Sequence, residues 1–207
     1  MAVLPPTTAP RQRGRPFDRE LDTSILEATV AEISERGIAR SSLDAIAMRA
    51  GVSKATIYKR WPSKDQLCIK AIASLHTEVT PPDTGDPRRD LETFIAGAIR
   101  LGRRAASNRM LPRLIGEIVD RSDLAAAFRA AVVQPRRRAC GILLERAIAS
   151  DALRSDLDRE LAIDLLIGPI MFRRLVSGAP LPASLPHDLV EVLWKAYGPD
   201  PCDKPPP

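Results

Sequence analysis

Apolar residues recur three and four positions apart along most of the chain, and no stretch longer than a few residues alternates as a half-buried strand would, so the pattern predicts an all-α fold. The first predicted helix runs from about Asp18 to Arg36. Leu21, Ile25, Ala28 and Ile33 form its apolar stripe, and Gly37 is a natural residue to end it. Ser41 stands where an N-cap is needed for a short second helix, with Asp44 in its first turn and Leu43, Ile46 and Ala47 as its inner face. Ala50 allows close approach, and Gly51 supplies the positive φ of a tight turn. Ser53 caps a third helix with Val52 and Ile57 inward, and Pro62 stops it. Ser63-Lys64-Asp65-Gln66 reads as a capping box that opens a fourth helix reaching about Glu78.

Thr80-Pro81-Pro82-Asp83-Thr84-Gly85-Asp86-Pro87 is the clearest break in the pattern. It is either a linker between domains or a loop inside one helical body, and a fourth helix that bridges both sides favours the loop. Further helices are predicted over 88–106, 109–120 and 122–151, the last interrupted near Gln134-Pro135. Two more follow, over Asp156–Ser177 and Pro186–Tyr197, for about nine in all. Gly168-Pro169 predicts a kink in the first of them. Both are apolar over most of their circumference, and such helices must be covered on several sides. A partner subunit in a two-fold dimer covers them, through Leu166, Ile170, Leu189, Leu193 and Trp194. The other reading is a monomer with a deeply buried C-terminal hairpin.

Composition sharpens this picture at three points. The chain has 207 residues with 44% hydrophobic but only 4% aromatic content, which favours closely packed aliphatic helices. Its charge is uneven: of the net +5, residues 1–64 carry an excess of four cations over anions. Three widely spaced cysteines, Cys68, Cys140 and Cys202, fit neither a disulfide framework nor a zinc site. Cys68 and Cys140 are expected as small buried residues in a reducing cytoplasm, with a redox sensor as the alternative. No leader is expected after Met1, and no apolar run approaches a membrane span, so a cytoplasmic protein is expected. His76 and His187 are far apart in sequence and lack a recognisable partner motif, and phosphate loops, nucleophile elbows and metal-ligand spacings are missing. No enzyme activity, cofactor or metal is expected.

The basic excess coincides with the hairpin of the second and third helices. A small apolar scaffold presenting a polar, cationic helix is how a helix-turn-helix reads the DNA major groove. Lys54, Thr56 and Tyr58 are the candidates to read bases, and Ala55 permits close approach or meets a thymine methyl. Ser41, Ser42, Ser53, Tyr58, Lys59 and Lys64 are candidates for phosphates. Arg13 and Arg15, within an extended Arg-Gly-Arg-Pro segment, are candidates for the minor groove. Arg60 and Trp61 are expected to pack structurally. In a dimer, two reading helices fall about 34–36 Å apart, and the operator is then a palindrome.

Ile25-Leu26, Ala28, Gly37, Ile46-Ala47, Ala50-Gly51-Val52-Ser53, Thr56-Ile57-Tyr58, Trp61, Ser63-Lys64 and Leu67 together resemble the DNA-binding domain of the tetracycline-repressor (TetR) family of bacterial transcriptional regulators. Thr29 and Glu32 depart from that pattern, which usually has alanine and a large apolar residue there. Glu32, on the inner side of the first helix, needs a partner or a rotated helix. The segment Asp164–Gly178 resembles, more loosely, a C-terminal domain of actinobacterial members. The resemblance implies an N-terminal three-helix DNA-binding domain (17–64) after a flexible basic arm (1–16). A larger helical effector-binding and dimerisation domain (65–198) and a disordered tail (199–207) follow.

It further implies a repressor released from DNA when a small apolar or amphipathic effector tilts the fourth helix. Phe94, Ala98, Leu101, Leu111, Ile115, Ile118, Phe128, Met171 and Phe172 are the candidates to line its pocket, and each is equally a candidate for ordinary core. Glu117 or Asp164 would suit a cationic ligand. The alternative is a DNA-binding dimer without a small-molecule switch, constitutive or architectural.

Overall fold

The computed structural model describes residues 16–75, 80–103 and 105–199. All regular elements among them are helical. They are α1 (Pro16–Arg40), α2 (Leu43–Ala50), α3 (Lys54–Tyr58), α4 (Lys64–Ser74), α5 (Pro87–Gly102), α6 (Ala105–Val119), α7 (Ser122–Phe128), α8 (Gln134–Ala149), α9 (Arg159–Phe172) and α10 (Leu185–Tyr197). A π-helical turn at Arg129–Val133 joins α7 to α8, and a second at Arg173–Ser177 continues α9. Taken with its π turn, α7–α8 is the interrupted helix predicted over 122–151.

Side-chain caps set the starts of α2, α3, α4, α5 and α9. The hydroxyls of Ser53 and Ser63 accept from the N–H groups of Thr56 and Gln66, each at 3.2 Å. Asp86 and Asp158 do the same for α5 and α9. At α2 the cap is Ser42 rather than Ser41: Ser42 Oγ accepts from Asp44 N at 3.2 Å. Ser41 is buried, and its hydroxyl donates back to the Ile38 carbonyl at 2.7 Å. It closes the preceding helix instead of opening the next.

That preceding helix does not stop at Gly37. The chain breaks there, with φ 80° and ψ 170°, and then makes one further turn to Arg40. The extra turn exists because distant groups satisfy its backbone. Glu117 of α6 accepts from Ile38 N (2.9 Å) and Ala39 N (2.8 Å). The Lys64 ammonium donates to the carbonyls of Ile38, Ala39 and Ser41 at 3.0–3.2 Å. Both polarities of an otherwise orphaned helix end are thereby paired.

Three apolar cores follow the helix packing. Ile25, Ala28, Ile46, Ala47, Ile57 and Leu67 form the first, between α1, α2, α3 and the start of α4. The second joins Ile33, Ile38, Cys68 and Ile72 to Met110, Leu114, Leu124 and Phe128. Because α1 and α4 contribute to both, the helix-turn-helix and the body share two helices, and α6 packs directly on α1. The third core lies among α5, α8, α9 and α10, around Leu91, Ile95, Leu143, Leu144, Leu166 and Val190.

Two buried polar residues inside α1 have partners, although Glu32 Oε2 accepts no hydrogen bond among the described residues. Thr29, fully buried, donates to the Ile25 carbonyl at 2.7 Å. Glu32, fully buried, accepts from Ser42 N at 3.3 Å and lies 3.5 Å from Arg36 and 3.7 Å from Arg49. Its partners come from α2 and its own helix, so no rotation of α1 is needed, and the carboxylate ties α1 to the start of α2.

Candidate DNA-reading surface and internal cavity

The helix-turn-helix is built as its spacing requires. Gly51 adopts the left-handed conformation (φ 67°, ψ 31°) between α2 and α3. Ile57 is buried on the inner side of α3, while Lys54, Ala55, Tyr58 and Lys59 are exposed and Thr56 is half-buried. Lys54 forms a 2.9 Å ion pair with Asp44 of α2, whose exposed geometry makes it weak and easily exchanged for another anion. Thr56 and Ser53 share a hydrogen bond at 3.0 Å between their hydroxyls. Arg60 fixes the end of this unit to α1 through a 2.6 Å contact with Asp22, and Trp61 packs half-buried against the first core.

Two of the phosphate candidates are otherwise engaged. Ser41 is buried against Cys68, and the ammonium of Lys64 is spent on three carbonyls at the end of α1. Ser42, Ser53, Lys54, Ala55, Thr56, Tyr58 and Lys59 keep surface exposure, fully or in part. Arg13 and Arg15 lie outside the described residues. Met48, 81% exposed on α2, is an addition that the sequence reading lacks: its position on the outer face was legible from the inward phase of Ile46 and Ala47.

The body contains a cavity of about 400 Å³ between α4, α5, α6, α8 and α9. Ala98, Leu101, Leu111, Ile115, Phe128 and Met171 line it, as expected of them. Phe94, Ile118 and Phe172 do not. Phe94 lies one turn too far toward the start of α5 and packs on the third core. Ile118 lies one turn too far along α6 and packs on the second core. Phe172 is about 100° round the helix from Met171 and is 57% exposed. Helical phase gives the face of a helix but not how far along it a cavity extends.

Polar lining also differs from expectation. Glu117 is absent from the cavity because it holds the broken end of α1. Asp164 reaches it but is neutralised by Arg137 at 2.6 Å. Arg136 and Arg174 line the cavity and were not singled out from sequence. Their signal was the spacing Ile167, Met171, Arg174 and, from the first π turn into α8, Val132, Arg136, which places each arginine in phase with an apolar lining residue.

The helix α9 explains a pattern apolar on nearly all sides. Ala162, Ile163, Leu166 and Ile170 enter the third core. Ile167, Gly168, Met171 and Arg174 face the cavity. Leu161, Leu165, Phe172 and Val176 remain 48–71% exposed. Leu166, Ile170 and Leu193, expected at a subunit interface, are therefore inside the protomer, and Leu189 and Trp194 pack half-buried against the same core. Val192 of α10, a helix that packs on α9, is also exposed, at 65%.

Burial pushes the Cys68 thiol up to about 11 and the Cys140 thiol up to about 12, so neither supplies appreciable thiolate at neutral pH. Among the described residues no helix is long and apolar enough to cross a membrane, and no group of three or more His, Cys, Asp or Glu is placed to hold a metal.

Residues 25–71 match the model for bacterial regulatory proteins of the tetR family, and residues 81–193 match that of the tetracyclin repressor-like C-terminal domain. The HTH-type transcriptional regulator YdeS of Bacillus subtilis is 37% identical over 185 residues, covering 89% of this chain and 93% of its own. The DNA-binding transcriptional repressor TetR of Mycobacteroides abscessus is 31% identical over 162 residues, covering 76% and 83%. The crystal structure of the TetR-family transcription regulator SCO0332 superposes with a TM-score of 0.68 at 30% identity, covering 87% of this chain and all of that one. With an exposed helix-turn-helix at one end and matched domains over most of its length, the chain belongs to the tetracycline-repressor family of transcriptional regulators, which are DNA-binding proteins and not enzymes.

Proposed function

We propose that this regulator is a cytoplasmic homodimeric repressor that leaves a palindromic operator when a small amphipathic effector enters the body cavity. The observation that carries the reading is the double role of α6. One side of it lines the cavity with Met110, Leu111, Leu114 and Ile115. From the same helix, Arg113 donates to the carbonyls of Ser34 (2.6 Å) and Glu35 (2.8 Å), and Glu117 accepts from Ile38 and Ala39. A ligand that displaces α6 therefore acts on the scaffold helix of the DNA-reading unit.

The fourth helix offers a parallel route, since Ile72 lines the cavity and Lys64 grips α1 at its other end. An effector with about 100-fold preference for the DNA-incompetent arrangement supplies roughly 2.7 kcal/mol of coupling, ordinary for allostery. Dimerisation is supported by the exposed apolar stripe of α9 and Val192, since isolated monomers seldom leave such a face to water. In the dimer, Lys54, Ala55, Thr56 and Tyr58 read bases, while Ser42, Ser53 and Lys59 contact phosphates.

The test is fluorescence anisotropy with the duplex just upstream of the protein's own gene, against a scrambled duplex, at two salt concentrations. Saturable binding with a large preference for the natural sequence is expected. Equal and strongly salt-dependent binding to both duplexes would leave a non-specific architectural role. No binding to either at low salt would refute the assignment of these residues to DNA.

A further inference from the structure

Among the described residues, four charged side chains join the apolar lining of the cavity: Arg136, Arg137, Asp164 and Arg174. Two of them cancel. Arg137 donates to Asp164 at 2.6 Å and also pairs with Glu160. Arg136 is left as the lining cation that no described acid offsets, and Arg174 lines the cavity beside it.

Arg136 is largely withdrawn from solvent, and among the described residues no acidic group offsets it. Burial, and secondarily the like charge of Arg174, lower its pKa to about 10. Arg174 is shifted downward by burial too. Arg136 nonetheless remains protonated at neutral pH, so a cationic group sits in apolar surroundings at an energetic cost that an incoming anion would relieve. A guanidinium also offers a planar fork of donors suited to carboxylate or phosphate oxygens.

Local backbone structure supports the same place. Arg174 lies within the π turn Arg173–Ser177, and Arg136 is the third residue of α8, directly after the π turn Arg129–Val133. π-Helical turns are uncommon and concentrate at functional sites. Here both occur beside one cavity, and Val132 and Val133 of the first also line it.

We propose that the effector is an anionic amphiphile whose carboxylate or phosphate head is held by Arg136 and Arg174 and whose apolar body lies against Leu111, Leu114, Phe128 and Met171. The assignment rests on the reading of this cavity as the effector site. It disfavours cationic ligands, because Asp164, the one acid among the described lining residues, is already committed to Arg137. A volume of about 400 Å³ suits a small molecule and not a macromolecular segment.

The experiment is isothermal titration calorimetry of the full-length protein with four probes that share a ten-carbon chain: decanoate, decyl phosphate, decanol and decyltrimethylammonium. Arg136→Met and Arg174→Met are titrated alongside, each checked for helical content and cooperative unfolding. At least one anion is expected to bind ten-fold or more tightly than decanol, and the ammonium to bind more weakly than decanol. Each arginine variant is expected to lose roughly 10- to 100-fold in anion affinity, as for a charged hydrogen-bonding partner, with decanol unchanged. The ratio of decanoate to decyl phosphate identifies the head. Decanol binding as tightly as the anions, or an anion preference surviving in both folded variants, would overturn the anion assignment and leave the cavity as an effector site. Failure of all four probes to bind would overturn both.

Discussion

Gly37 shows how one residue carries two constraints that are separable by mutation. Its φ of 80° and ψ of 170° lie in a region almost exclusive to glycine, and an added Cβ would sit 2.5 Å from the Glu117 carboxylate. The carboxylate can swing aside, but only by releasing the N–H groups of Ile38 and Ala39. Gly51 also has positive φ, at 67°, yet nothing lies within 4 Å of its missing Cβ. Gly37→Ala is therefore expected to cost about 2–4 kcal/mol, combining backbone strain with unpaired amides. Gly51→Ala is expected to cost about 1 kcal/mol, from strain alone. Urea unfolding of the two variants measures the difference, and equal costs would show that Glu117 is not holding the end of α1.

At the scale of the element, α9 is a single helix with three destinations, and only the exposed one is free to meet a partner. Leu165→Glu and Val192→Glu alter side chains that are 50% and 65% exposed in the protomer. Each is expected to leave the thermal stability of the chain within about 0.5 kcal/mol of wild type when monomeric, as ordinary surface substitutions do. Together they should convert a species of about twice the 22.6 kDa chain mass to the monomer in light scattering at micromolar concentration. A wild-type protein that is already monomeric, or a double variant that stays dimeric, would move the interface elsewhere.

The same helix marks where sequence ceased to inform. The caps at Ser53 and Ser63 and the turn at Gly51 were legible because their physics is local: a side chain answers backbone groups two or three residues away. In α9 the apolar residues run all round, so periodicity carried no phase. Leu166 and Ile170 could not be told from Leu165 and Phe172 until α5, α8 and α10 took up one side. The end of α1 was misjudged for a related reason. Its last turn depends on Glu117 and Lys64, residues distant in sequence, and nothing near Gly37 announces them. Arg136 and Arg174 were in phase with lining residues, but 25 arginines offer no local mark of which two face inward.

Across the whole molecule, the cavity and the DNA-reading unit are joined by packed helices and not by a flexible linker. α1 packs on α2, α4 and α6, so its position is set jointly by the reading hairpin and by the cavity wall. Arg113 and Glu117 make the α6 side of that joint polar and directional: one grips carbonyls before the break at Gly37, the other grips amides after it. If this joint transmits the state of the cavity, the effect of filling it depends on the joint being intact. Ala98→Phe, at a lining residue on α5, fills part of the cavity from a helix other than α6. It is expected to weaken operator binding about five-fold or more, within the range of allosteric coupling. In a Glu117→Ala background the same substitution is expected to have at most a third of that effect on the binding free energy. The four operator affinities form a double-mutant cycle, and a clear interaction term is the signature of coupling through α6. Purely additive effects would assign transmission to α4, where Ile72 and Lys64 provide the remaining connection between cavity and scaffold helix.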